Sequence, residues 1–332
     1  MKKTGIIVGV IIFMVLVILG CMGAYQYFTK TNQSNENLNQ SGNVLSGNNE
    51  NLPEQPNENL EQSDKISTEA LFTSGDYPRV DASLATQPLT DAFMANFTAT
   101  PISEINPEYT NTHPSYLRLI DGEVDLIVVT SPSEEELAYA KQKGVELEVI
   151  PVVNEAFIFM ANKQNPVNGL TVKQVQDIYS GKITNWQEVG GEDEAIIPYQ
   201  RPTNSGSQTG MLDLVMKDIP MIEPTTETFE ETMAGIIEAV ANYDNAKAAL
   251  GYSYYYYATT MYSKDSIKLL AMDGVEPTFE TIKNGKYPIQ TAYYIVINKA
   301  EPKESNTRKL VEAMLSERGQ AVAKEAGYVP VK

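Results

Sequence analysis

Hydrophobic and polar positions divide the chain into three unlike stretches. After Lys2 and Lys3, an apolar run extends from Gly5 to about Phe28 without a charge. About 20 such residues in a helix cross the hydrocarbon core of a bilayer, so residues 1–29 read as a membrane segment. Residues 30–65 are rich in Asn, Gln, Ser and Glu and poor in aromatic and β-branched residues. Such a stretch cannot bury enough apolar surface to fold, and it is expected to be a flexible, disordered linker. From about Ile66 onward, apolar runs with strand character alternate with runs of helical period.

The expected strands are Glu123–Thr130, Leu147–Val153, Ala156–Ala161, Ile196–Tyr199, Ile267–Met272 and Tyr293–Ile297. The expected helices lie between them. Pro88–Phe97 carries Leu89, Phe93 and Phe97 on one stripe. Glu134–Lys143 follows Ser133, a good N-cap, and stops at Gly144. Thr171–Ser180 turns Val172, Val175, Ile178 and Tyr179 inward and stops at Gly181, and Arg308–Lys324 forms a last helix. Alternation of this kind over the remaining chain predicts an α/β fold with sheets covered on both faces.

Composition narrows the chemistry. The 332 residues carry a formal net charge of −18, which disfavours nucleic acid and anionic membrane surfaces as partners. An anion site in such a chain has to be built from local donors. There is one cysteine, Cys21, within the apolar run, so no disulfide can form within the chain and no cysteine cluster can hold a metal. The one histidine, His113, argues against a histidine-rich zinc site and against a serine triad. Beside Pro114, it reads as a polar loop residue. Cys21 also opens two readings of the N-terminus. One is an uncleaved signal anchor, with Lys2 and Lys3 on the cytoplasmic side. The other is a lipoprotein signal, in which Ile18-Leu19-Gly20-Cys21 resembles a lipobox and Cys21 carries the lipid. Either places the folded part outside the cell membrane.

Gln200–Gly210 is the most informative segment. Arg201 precedes Ser205-Gly206-Ser207, which leads from an expected strand into the apolar positions Met211, Leu212, Leu214 and Val215. Ser205 is a good N-cap, and Gly206 leaves room for a ligand against the backbone. The first N–H groups of a helix lack intrahelical partners and lie at the positive end of its dipole, which suits an oxyanion. Arg201 can add a bidentate fork. A plain capped helix with a surface arginine is the competing reading. Two further turns have similar makings. In Asp81–Leu89, Ser83 and Thr86 can cap a helix that has Pro88 in its first turn. Thr130-Ser131-Pro132-Ser133 ends an expected strand, where open α/β sheets bind ligands. Ordinary capping explains both equally. The aromatic cluster of Tyr252 and Tyr254–Tyr257 reads as core and hinge packing.

Three enzyme classes lack their motifs. Ser205-Gly206-Ser207 is not a Gly-x-Ser-x-Gly nucleophile elbow, and neither a Gly-x-x-x-x-Gly-Lys-Ser/Thr loop nor a Gly-x-Gly-x-x-Gly fingerprint occurs. The chain is expected to be a binding protein rather than an enzyme, without cofactor or metal.

A longer pattern is specific. Asn165-Pro166-Val167, Leu170-Thr171, Ile178 through Trp186 and Gly190-Gly191 lead into Arg201 and Ser205-Gly206-Ser207. Gly251-Tyr252, Gly319-Gln320 and Gly327-Tyr328-Val329-Pro330 follow. Over roughly residues 77–332 the chain resembles the phosphate-binding proteins that serve ABC phosphate importers, which have the two-lobed type 2 periplasmic-binding-protein fold. The resemblance implies two lobes joined by two crossing hinge strands, one at 66–152 plus 293–332 and the other at 153–292. It implies phosphate held by Ser83, Arg201, Ser205, Gly206 and Ser207, with Thr112 in another hydroxyl position. In the importer proteins an aspartate accepts the proton of hydrogen phosphate; Thr130 stands in that slot here. Asp81-Ala82-Ser83-Leu84-Ala85 also has one hydroxyl fewer than the family's usual Asp-Gly-Ser-Thr-Ala. The expected partners are inorganic phosphate or a related oxyanion, an ABC importer permease, and the membrane through the N-terminus; the protein is expected to be a monomer. A surface sensor or interaction module that has kept the fold is the alternative.

Overall fold

The computed structural model describes residues 69–331 apart from 101–104 and 106. The expected membrane segment, Cys21 and the linker lie outside the described residues. Among the described residues, no helix is long and apolar enough to cross a membrane.

The chain opens with β1 (Val80–Ala82), α1 (Gln87–Phe97), α2 (Thr112–Ile120), β2 (Leu126–Val129) and α3 (Glu134–Lys143). β1 and β2 pair in parallel. Parallel strands are buried on both faces, and all four residues of β2 are accordingly free of solvent. α1 buries Leu89, Phe93 and Phe97 as its stripe predicts. The α3 helix begins in a capping box between Ser133 and Glu136 and ends at Gly144 in the left-handed conformation.

The expected strands on either side of Asn154-Glu155 are one element, β3 (Leu147–Asn162). Asn154 can form turns, but here Asn154 and Glu155 are held extended by pairing opposite Ala292 and Thr291, and the register shifts between Pro151 and Val153. The early part of β3 pairs with β9 (Gln290–Asn298) and β10 (Val329–Pro330). Its later part pairs with β6 (Ala249–Tyr254) and β7 (Ile267–Leu269), and β6 pairs in parallel with β5 (Ile197–Pro198). The strand order is thus β1-β2-β9-β3-β6-β5, with β3 common to both groups of strands. The expected Ile267–Met272 strand is split at Leu270. Its end, β8 (Ala271–Met272), pairs instead with β4 (Gly169–Leu170).

The expected last helix is also two. One spans Asn306–Leu315 and the next Glu317–Glu325. Ser316 turns the chain between them, because its hydroxyl accepts the Gly319 N–H at 3.1 Å and donates to the Ala313 carbonyl at 2.6 Å. Side-chain capping of this kind competes with continuation of the helix.

Candidate functional site

One wall of the site forms where β1 and β2 end. The Ser83 amide donates to the Val128 carbonyl at 3.1 Å, so Ser83 and Thr130 leave neighbouring strands side by side. Thr86 does not cap α1 with its side chain. Its hydroxyl bonds to the Val128 carbonyl and, at 3.0 Å, to Ser83 Oγ, fastening the turn to β2. Thr112 is the first residue of α2, presented by the loop that enters the helix. That loop is fixed by Asp81, which is fully buried. Its Oδ1 accepts the Thr110 amide at 2.9 Å, and its Oδ2 accepts Thr110 Oγ1 at 2.6 Å and Arg118 Nη1 at 2.7 Å. Asn111, next to Thr112, has φ 91° and ψ 168°, a region that costs a residue with a side chain about 1–3 kcal/mol. The strain lies beside the site, where Asp81 and Arg118 hold the loop in place.

The facing wall is built on the segment after β5. Ser205 caps the helix Gly206–Gly210, its Oγ accepting the Gln208 amide at 3.3 Å, and the helix runs on as a wider turn through Met216. The Arg201 amide donates to Gln208 Oε1 and to the Tyr252 hydroxyl, each at 3.1 Å. Its guanidinium donates from Nη1 to Ser207 Oγ at 2.8 Å and from Nη2 to the Glu231 carbonyl at 2.9 Å. Arg201 makes no ion pair, and its Nε is buried with no hydrogen-bond partner among the described residues. Burial disfavours the charged form and pulls the guanidinium pKa below its ordinary value. A partly buried cation without a counter-charge is costly unless an anion completes it.

The two walls close on each other at Gly206. A Cβ there would lie 2.5 Å from Thr130 Oγ1 and 2.8 Å from Thr112 Oγ1, so only glycine permits this approach. Tyr254 donates its hydroxyl to the Gly206 carbonyl at 2.8 Å, and Asn204 Nδ2 reaches Glu135 Oε2 at 2.5 Å. The Thr130 hydroxyl is buried beside the Tyr254 hydroxyl and, among the described residues, makes no hydrogen bond of good geometry. Ser83, Thr112, Thr130, Arg201, Ser205, Gly206 and Ser207 all line one cavity of about 330 Å³. Local sequence had left each turn open to plain capping; the fold brings the three turns to one place.

Sequence reasoning missed several lining residues. His113 is in the first turn of α2 rather than in a loop, and it lines the cavity. Its Nδ1 lies 3.0 Å from Oε1 of Glu136, a buried carboxyl whose pKa burial raises. Tyr254 and Tyr257 also line the cavity, so the tyrosine cluster is partly site and not packing alone. The signal for both was available only as contacts between residues distant in sequence. Among the described residues, no group of three or more His, Cys, Asp or Glu is placed to hold a metal ion.

Residues 59–318 match the family model of the PBP superfamily domain. The chain belongs to the PBP superfamily. Similarity within the superfamily extends to named proteins. The chain is 28% identical to the phosphate-binding protein PstS of Bacillus subtilis (strain 168), over 58% of this chain and 62% of that protein. The match therefore spans less than two thirds of that relative's length. A solved structure from Clostridium perfringens, described as a candidate phosphate ABC transporter substrate-binding protein with bound phosphate, is 25% identical. It superposes with a TM-score of 0.61 over 76% of this chain and 98% of that one. The ABC-type phosphate transport receptor from Vibrio cholerae is 19% identical, covers 76% and 98% of the two chains and has a TM-score of 0.57, a likeness of fold.

Proposed function

We propose that this PBP-superfamily protein captures inorganic phosphate, or a related oxyanion, in the Arg201 cavity and delivers it to an ABC importer permease. It acts by binding rather than by catalysis. The observation that carries this reading is the half-buried Arg201 guanidinium, which no carboxylate among the described residues compensates, with its buried Nε unpartnered and the Thr130 hydroxyl facing the same cavity. Backbone N–H groups at the start of the Gly206 helix and the hydroxyls of Ser83, Thr112, Ser205 and Ser207 supply further donors. The names of the Bacillus subtilis and Clostridium perfringens relatives support the same ligand class.

In this proposal the two strand groups that share β3 are the two lobes, 66–152 plus 293–332 and 153–292. Ser83, Thr112 and Thr130 belong to the first, and Arg201 and Ser205–Ser207 to the second. β3 and β9 are the crossing strands. The N-terminal stretch tethers the domain on the extracellular side of the cell membrane, through an apolar anchor or a lipid on Cys21.

Isothermal titration with phosphate tests the site assignment. Arg201→Ala removes a charge-assisted contact, on the order of 1.5–3 kcal/mol, and weakens phosphate binding roughly tenfold to a hundredfold. Arg201→Lys recovers part of this, because a point charge cannot form the fork. Arg308 serves as the control. It is bonded to Glu148 at 2.6 Å and does not line the cavity, so Arg308→Ala costs some stability and no affinity. Unaltered binding by folded Arg201→Ala protein would falsify the site assignment.

A further inference from the structure

The inventory of groups facing the cavity names a ligand class more closely, on the footing that the cavity is the anion site. Hydrogen phosphate carries a P–O–H proton that has to be accepted, whereas sulfate near neutral pH has none. A carboxylate facing the anion can only accept, so it favours the protonated phosphate and repels sulfate. A hydroxyl accepts from P–O–H or turns and donates to a bare oxygen.

The buried carboxylates near this cavity are committed elsewhere. Both oxygens of Asp81 are taken by Thr110 and Arg118, with Ala82 also on Oδ1. Glu136 is held by His113 and the Ser133 amide. Glu231 is the one carboxylate residue lining the cavity. It is exposed, and its backbone carbonyl is the acceptor for Arg201 Nη2. Ser83 Oγ is engaged by the Thr86 hydroxyl, and the polar groups left over are Arg201 Nε, the hydroxyls of Thr112, Thr130, Ser205 and Tyr257, and the side chains of Asn111, His113 and Asn204, none of which is a carboxylate. Ser207 Oγ accepts from Arg201 and keeps its own proton to donate. Thr130 Oγ1 is decisive, because it is buried and only the neighbouring Tyr254 hydroxyl competes for it, so it can take either role toward an anion.

We propose that the site is a general receptor for tetrahedral dianions, accepting sulfate as well as hydrogen phosphate. The two anions bind with dissociation constants within about tenfold of each other.

The test is calorimetric titration of the intact protein with sodium phosphate, then with sodium sulfate, then with phosphate in the presence of sulfate. Competition by sulfate at comparable concentration supports the inference. Saturable phosphate binding that a hundredfold excess of sulfate leaves unchanged overturns it and leaves the phosphate reading standing. Absence of binding by either anion overturns both. Two substitutions add independent readouts. Thr130→Asp shifts the ratio of sulfate to phosphate affinity against sulfate by at least a hundredfold, and an unchanged ratio in folded protein counts against the inference. Thr130→Val weakens both anions by a similar factor, since both use the hydroxyl. Loss of phosphate binding alone in Thr130→Val contradicts the dual role.

Discussion

Gly206→Ala is a sharp perturbation because it separates binding from folding. The new methyl would stand 2.5 Å from Thr130 Oγ1 and 2.8 Å from Thr112 Oγ1, well inside the optimal non-bonded separation of roughly 3.5–4.0 Å. Both obstacles are short β-branched side chains in buried positions, and neither can swing far. The proposed lobes must therefore part slightly, at an overpacking cost of about 1–3 kcal/mol, and the anion's ligands separate with them. Phosphate affinity falls roughly fivefold to a hundredfold at ~1.4 kcal/mol per decade. Once the lobes part, each keeps its own packing, so the cost falls on the closed arrangement that holds the anion rather than on folding. Gly206 is a helical residue with ordinary backbone angles, where alanine restricts the unfolded chain and contributes about 0.4–1 kcal/mol. Titration calorimetry and thermal unfolding without ligand should thus move in opposite directions. Adding Thr130→Ala to Gly206→Ala should recover part of the loss, because the pair is in contact and its effects are not additive. Parent-like phosphate binding by Gly206→Ala would refute the close approach at Gly206.

Two further predictions concern the scaffold. Asp81→Ala leaves the Arg118 side chain without its buried counter-charge and frees the Thr110 loop; it should cost about 3 kcal/mol in chemical denaturation, and a loss under about 1 kcal/mol would contradict the anchoring role. Glu155 is fully buried in β3, and burial pushes its carboxyl up from 4.5 to about 8, against the Ala156 and Tyr256 amides that favour the carboxylate. Between those two values the folded protein holds a proton that the unfolded chain has released, so stability falls as pH rises through that window. Glu155→Gln should therefore gain stability relative to the parent, by on the order of a few kcal/mol, as pH rises from about 5 to about 8. Parallel stability profiles for the two proteins would contradict this.

The parts of the site that were legible are those written locally. Arg201, the Ser205 cap and Gly206 fall within one strand-to-helix turn, and residue type alone gives their chemistry. The N-cap at Ser133 was equally plain. What pattern could not reach were contacts between residues far apart. His113 meets Glu136 across 23 positions, Asp81 meets Arg118 across 37, and Tyr254 meets Gly206 across 48. No local period records such a meeting. Element boundaries erred where a polar residue had two options. Ser316 stopped a helix that its apolar stripe would have continued, and Asn154-Glu155 stayed in the strand because paired neighbours held them there. Thr86 likewise spent its hydroxyl on β2 instead of on its own helix.

A crystal structure of the protein grown with saturating phosphate tests the central claim most directly. The account predicts one anion in the cavity, within hydrogen-bonding distance of Arg201 Nε, the Thr130 hydroxyl and the amides at the start of the Gly206 helix. A cavity that holds only water at saturating phosphate, or an anion bound elsewhere with Arg201 Nε still unpartnered, would contradict it.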